Sequence, residues 1–262
     1  MSGETTHGKG VYGVLTLLVL LGVTIWFGAL QWRGHLTVKS VVVEGQHILT
    51  ADEVVKLAQV TLNTKMYDID LTTIEKNVAT NHFVRTVTVT RDAPATIRVS
   101  VEERTPIALL LIPGRNDLLC IDGEGYILPH VASQSIFDLP VISGIDSLFT
   151  PAIGQRSTQA DLAEATGVLQ AAEEVSTELF HTISEVRVRN GHDLVLYSAD
   201  TGIPIIFGRG EAARKMVMLD GFWKKFVSEE GSQNIRYIDI RYEDQVIVSS
   251  VNADSKNTKK AS

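Results

Sequence analysis

Residues 11–30 (VYGVLTLLVLLGVTIWFGAL) carry no charged side chain. At about 1.5 Å of rise per residue, a helix of that length covers roughly 30 Å, the thickness of a bilayer's hydrocarbon core. In lipid a segment must satisfy its own backbone hydrogen bonds, so a single run this apolar predicts a transmembrane helix. Trp26 and Trp32 flank its C-terminal end, where amphipathic rings favour the water–lipid boundary. A cleaved signal peptide has a shorter apolar core, about 7–15 residues, and a small-x-small cleavage site. Residues 30–33 (LQWR) make a poor one. A buried helix of a soluble domain would show a polar stripe, and this run has none. The expectation is an uncleaved anchor between a tail, residues 1–10, and the bulk of the chain. Charge does not orient it: Lys9 precedes the span while Arg33 and Lys39 follow it. Long domains cross largely regardless of charge, so a cytoplasmic tail stays compatible with the sequence.

Beyond the span there is chain enough for one large or two ordinary domains. The formal net charge of −7 argues against a generic nucleic-acid binder, which needs a basic surface. The single cysteine, Cys120, excludes an internal disulfide, and its neighbours Leu118, Leu119 and Ile121 predict a buried, inert thiol.

Residues 38–44 (VKSVVVE) are β-branched and end at Gly45, which reads as a strand and a turn. Thr50 and Glu53 form a capping-box pattern ahead of Val54, Leu57 and Ala58 at helical spacing. Asp70 is a second N-cap candidate, with Leu71, Ile74 and Val78 on one face; residues 63–67 read as a loop. Residues 84–91 and 96–103 alternate as strands joined by a hairpin loop around Pro94. The order strand–helix–helix–strand–strand predicts a two-layer α+β domain, since helices this short need a sheet to lie on.

These residues resemble a POTRA domain, and in particular that of the bacterial cell-division family FtsQ/DivIB. The resemblance rests on Val43-Glu44-Gly45, the Phe83-Val84 start of the second strand, Arg91 with Pro94 in the hairpin, and Glu103-Arg104-Thr105-Pro106-Ile107-Ala108 leaving the domain. It implies a single transmembrane helix, residues 11–30, with the N-terminus cytoplasmic, followed by a β-α-α-β-β POTRA-like domain at residues 38–106.

After Pro106, residues 107–111 and 118–121 read as strands. Asp122-Gly-Glu-Gly125 then turns into residues 126–128, Asp-Gly being a strong hairpin signal. Asp122 and Glu124 lack the other spaced oxygen ligands of a calcium site, so the turn is read as structural. Leu139-Pro-Val-Ile-Ser-Gly144 resembles the family's Leu-Pro…Gly strand. Ser157 or Thr158 is expected to cap a long helix running to about His181. Strands at 183–189, 194–197 and 203–207 follow, then a helix at 211–227 with a Met and aromatic stripe that reads as core. Gly208-Arg-Gly210 is read as a turn into that helix, since a lone G-x-G is weak evidence for phosphate binding. The last strands fall at 234–242 and 245–251, and residues 237–242 (YIDIRY) resemble the closing Ile-Asp-Leu-Arg-Tyr of the FtsQ-type β domain. The fold class is therefore α+β: the anchor, the POTRA-like domain, and a mixed β-sheet domain with two helices at residues 107–251. Residues 252–262 are polar and read as a disordered tail.

The chain carries no H-E-x-x-H, G-x-S-x-G or Walker loop, and its seven histidines are scattered. Asp68 and Asp70 precede a helix, where capping accounts for them. No catalytic residue, cofactor or metal is expected, which leaves binding. A sheet whose last strand lies near the C-terminus presents an edge of unpaired backbone groups to which a peptide can add. The resemblance implies that use: in FtsQ the terminal strand pairs with a segment of the small coiled-coil membrane protein FtsB, which with FtsL forms a trimeric division subcomplex. Carried over, Arg241 and Tyr242 contact the partner, Gln245, Val246, Ile247, Val248 and Ser249 offer the edge, and Arg189 pairs with an acidic partner residue. The plainer alternative is that Arg241 and Tyr242 are merely exposed strand residues that discourage aggregation. Glu243-Asp244-Gln245 departs from the enterobacterial small-residue turn, and no tryptophan follows the final strand. The leading reading is a bitopic inner-membrane division scaffold that helps assemble and regulate septal peptidoglycan synthesis. The alternatives are a POTRA-bearing envelope transport or secretion adaptor, which usually has tandem copies and a barrel, and a membrane-tethered enzyme.

Overall fold

The computed structural model describes residues 7–33, 36–114, 118–130, 138–146, 148–189, 193–227, 234–243 and 245–250. The tails expected at residues 1–10 and 252–262 fall largely or wholly outside these. The chain divides into two compact units, Met1–Glu103 and Arg104–Ser262.

The first unit opens with helix α1, His7–Arg33. Among the described residues no helix is long and apolar enough to cross a membrane, so the structure does not itself carry the span expected over residues 11–30. The side chains of α1 are described over residues 12–28 and are exposed throughout; Leu17 is 68% and Trp26 70% exposed. Strand β1 (Ser40–Glu44) is followed by helices α2 (Ala51–Ala58) and α3 (Leu71–Val78) and by strands β2 (Val84–Asp92) and β3 (Thr96–Glu103). The expected capping box holds: Thr50 Oγ1 accepts from Glu53 N at 3.3 Å, and Glu53 Oε2 accepts from Thr50 N at 2.8 Å. These bonds hold the Glu53 carboxyl below the usual range. Asp70 caps α3 by accepting from Thr72 N at 3.0 Å. Met66–Asp68, within and just beyond the expected loop, forms one 3-10 turn.

The sheet order is β1-β3-β2, with β1 parallel and β2 antiparallel to β3. Alternation decides the layers: Val89, Ile97, Val99 and Val101 are buried with Val54, Ile74 and Val78 of the helices. Thr86, Thr88 and Ser100 lie on the exposed face. Gly45 turns at φ +84, where a Cβ would collide with the Val101 carbonyl, so glycine is required. Glu103 closes the unit, its carboxylate accepting from the backbone amides of His47 (2.9 Å), Ile48 (2.6 Å) and Leu49 (3.0 Å).

The second unit is a nine-stranded mixed sheet under helices. Its strands are β4 (Pro106–Leu110), β5 (Leu119–Asp122), β6 (Ile127–Pro129), β7 (Val141–Ser143), β8 (Ile183–Val188), β9 (Leu194–Ser198), β10 (Pro204–Gly208), β11 (Ile235–Asp239) and β12 (Ile247–Ser250). They lie in the order β12-β11-β10-β9-β8-β7-β4-β5-β6. The pairs β4–β7, β7–β8 and β10–β11 are parallel and the rest antiparallel. One contiguous core joins Leu110, Ile121, Ile142, Val186, Leu196, Phe207 and Ile238 to Leu162, Leu169, Met216 and Leu219 of the helices.

The single long helix expected up to His181 is two: α4 (Ala160–Val175) and α5 (Thr177–Thr182). Ser176 breaks it by taking an extended conformation (φ −165, ψ 128) while its Oγ caps α5, accepting from Leu179 N at 3.3 Å. The break lets Leu179 and Phe180 reach the core. Neither Ser157 nor Thr158 is the N-cap of α4; Gln159 takes that place without a side-chain bond. Helix α6 spans Ala212–Phe222, with Glu211 before it at φ 56, and Trp223–Val227 continues as a π turn. The second unit thus holds three helices among the described residues, where the sequence led us to expect two. The strand expected at 234–242 closes at Asp239, because Asp239 folds back onto the amide of Arg241 at 3.1 Å.

Candidate functional site

The two ends of the large sheet differ. At β6 the edge is sealed: Ile127 N donates to Gln155 O at 3.0 Å, Gly154 N donates to Ile127 O at 2.7 Å, and Tyr126 bridges Arg156. Pro129 ends that strand and supplies no amide. At the other end, β11 is inserted parallel to β10 and carries β12 antiparallel on its outside, in the register Tyr237–Ser249, Ile238–Val248 and Asp239–Ile247. Among the described residues no strand pairs with the outer side of β12. Consecutive residues Ile247 (41% exposed) and Val248 (40%) point to opposite faces of the sheet, so this strand is uncovered on both. An open edge with apolar side chains on both faces fits an added strand.

Asp239 and Arg241 frame this edge. Asp239 is 5% exposed. It accepts from Arg241 Nε at 3.0 and 3.2 Å and from Nη2 at 2.7 Å. Burial by itself would push the Asp239 carboxyl up, but the hydrogen bonds from Arg241 outweigh it and hold the group below the usual carboxylate range. The same bonds raise Arg241 against a smaller opposing effect of burial. The Arg241 stem lies over Gly208 (φ +72), where a Cβ would stand 2.8 Å from its Cγ. Its guanidinium also approaches Asp193 at 3.7 Å and the Tyr242 ring at 6.0 Å.

The structure places Arg241, Tyr242 and residues 245–249 at the β12 end of the sheet, while Arg189 lies at the end of β8, with β9, β10 and β11 between that strand and β12. Tyr242 is half exposed and Gln245 exposed, while Val246 packs against the core. Ile247 and Val248 are open, and Ser249 is half-buried opposite Tyr237. Arg189 is exposed; its amide donates to Asp193 O at 2.9 Å and its Nη2 donates to the Tyr197 hydroxyl at 3.4 Å. Asp193 therefore stands between Arg189 and Arg241. Arg187 extends the basic stripe, paired with Glu185 at 2.9 Å and lying over Tyr197.

Three participants escaped the sequence reading: Asp193, Gly208 as a seat for Arg241, and Lys215. The lysine carried a signal, since it stands one turn before Leu219 on the apolar stripe of α6. The Asp122 and Glu124 carboxylates serve Arg104, at 2.9 Å each, with its guanidinium 3.5 Å above the Tyr126 ring. Among the described residues no group of three His, Cys, Asp or Glu is placed to hold a metal. Two clefts flank α4. One, of about 390 Å³, includes Arg156 and Gln170; the other, of about 530 Å³, includes Glu173 and His181.

The chain matches known families along both units. Residues 36–104 match the family model for the POTRA domain, FtsQ-type, and residues 111–241 match that for cell division protein FtsQ/DivIB, C-terminal. It belongs to the FtsQ/DivIB family. Among its relatives, the cell division protein FtsQ of Rhodothermus marinus is 27% identical over 236 residues, covering 88% of this chain and 82% of the relative. That of Salinibacter ruber is 26% identical over 239 residues, covering 88% and 87%. That of Geotalea daltonii is 25% identical over 205 residues, covering 78% and 72%. The FtsQ/DivIB match stops at Arg241, so the open edge at β12 lies just past the matched segment.

Proposed function

We propose that this chain is a bitopic division scaffold which captures a partner by strand addition at β12. One observation carries the reading. Among the described residues nothing pairs with the outer side of β12 or covers Ile247 and Val248 on its two faces, while β6 at the other end is sealed. Backbone groups supply affinity and the side chains of alternate residues supply specificity. The basic groups of Arg189 and Arg241 suit a partner segment carrying acidic residues beside its apolar ones. By family resemblance the partner is of the FtsB/FtsL type.

The membrane reading concerns α1. Its 27 residues span about 40 Å, and apolar side chains cover every described face without burial. Among the described residues α1 by itself does not meet the length and apolarity of a span, so the reading leans on the uncharged run at residues 11–30 and on the family resemblance. On this reading residues 11–30 are the membrane-spanning part, with the tail cytoplasmic and the chain beyond residue 36 outside.

A photo-crosslinking residue placed at Val248 of the full chain in growing cells tests the edge. The expected product joins the chain to a small single-pass coiled-coil division protein, and the same probe at Ile127 gives none. A functional Val248 variant that crosslinks to no division protein would sink the reading. External protease on intact spheroplasts should digest residues beyond 36; full protection would exclude the topology.

A further inference from the structure

Lys215 is a lysine inside the protein, 2% exposed on the apolar stripe of α6. Burying an ammonium is costly, and hydrophobic side chains of similar volume are often as stable in such places. The group has a specific occupation instead. Its Nζ donates to the Phe207 carbonyl at 3.0 Å and to the Arg209 carbonyl at 2.6 Å, and lies 4.6 Å from the Phe207 ring centroid. Those two carbonyls bracket Gly208, which is held at φ +72. The Cα of Gly208 is the surface on which the Arg241 stem lies. The guanidinium at the end of that stem grips Asp239, the last residue of β11, beside the open strand.

We propose that Lys215 is a positioning residue for the partner-binding edge: by fixing the Gly208 turn it sets where the Arg241 side chain rests and how β11 presents β12. The inference rests on the reading of β12 as the partner edge. The chain of contacts is continuous, running from a helix-borne ammonium to two carbonyls, one glycine, one guanidinium and one carboxylate. Each link is short-range: the Lys215, Asp239 and guanidinium contacts are polar, and the Gly208–Arg241 contact is van der Waals packing of the arginine stem. Lys215 touches no partner itself; it acts through Arg241.

The test uses the full chain in mild detergent, with Lys215→Met, Gly208→Ala and Arg241→Ala alone and Lys215→Met combined with Arg241→Ala. Hydrogen exchange is followed over residues 235–250 and, as an internal control, over β8 and β9. Lys215→Met and Gly208→Ala, which disturb the turn from different atoms, should each speed exchange at residues 235–250 about tenfold and leave β8 and β9 unchanged. Uniform acceleration across the unit, or none, would overturn the proposal. The second readout is crosslinking yield from Val248. Lys215→Met and Arg241→Ala should each lower it about tenfold, and the double variant should lose no more than Arg241→Ala alone. Independent, multiplying losses would overturn a role through Arg241. Absence of any crosslink in the unaltered chain would count against strand addition, and the exchange pattern would still decide the positioning role.

Discussion

Removing the Arg241 side chain isolates a carboxylate that the fold has already taken out of water. Asp239 is 5% exposed, and Arg241→Ala strips it of the contacts at 2.7, 3.0 and 3.2 Å, leaving the amide of residue 241 at 3.1 Å. Breaking a fully buried pair costs about 3–5 kcal/mol. Here the Arg241 side chain is 42% exposed, so solvent screens the attraction, and about 2–3 kcal/mol is expected. Asp239→Asn keeps the shape and frees the guanidinium to turn toward Asp193 and water, at about 1–2 kcal/mol. With both changes nothing charged is stranded, so the double variant should cost about 1–2 kcal/mol less than the sum. Urea unfolding of the full chain in detergent measures this, followed by Trp223, whose fellow tryptophans Trp26 and Trp32 lie in α1. The pH dependence has a definite sign. Folding depresses the Asp239 carboxyl below its ordinary 3.8, so its contribution is present above about pH 4 and is lost as pH falls through the folded value. In Arg241→Ala the side-chain hydrogen bonds that offset burial are gone, so the variant's stability should fall less than the parent's as pH drops below about 4. An Arg241→Ala cost under about 0.5 kcal/mol, with strictly additive changes, would refute the reasoning.

Glu103→Gln removes the charge that holds three loop amides, and should cost the first unit about 1.5–3 kcal/mol, seen as faster exchange at residues 47–49. Gly144→Ala places a Cβ against the Val188 carbonyl at φ +74; at least about 2 kcal/mol should be lost, read as a fall in the unfolding midpoint. Burial pushes the Cys120 thiol up to about 11, so a maleimide should label it only as fast as the second unit unfolds; rapid labelling of native protein would show the site open.

Much of the fold was legible because it is written in short-range signals. Thr50 and Glu53 meet across three residues, and Asp70 reaches an amide two residues on, so composition at those spacings is enough. The alternation of residues 96–103 fixes which side of β3 meets the helices. The misjudged helix at 157–181 had no such signal. Helical spacing runs straight through Ser176, and the break is favoured by the burial of Leu179 and Phe180 in a core shared with the whole sheet, which the local pattern does not show.

The open edge belongs to the same category. An apolar strand near the C-terminus is visible in the sequence, and so are Arg241 and Tyr242 beside it. That β6 is sealed and β12 is left bare depends on strand order, with β11 lying parallel to β10 and the 154–156 segment folding over Ile127. The meetings of Asp193 with Arg241, and of the Arg241 stem with Gly208, are likewise tertiary. By itself the amino-acid order determined the apolar N-terminal run, the local caps, the strand faces and the family. Packing alone decided which backbone groups stay unpaired and which charges share a neighbour, because those depend on distances between residues that no local pattern encodes.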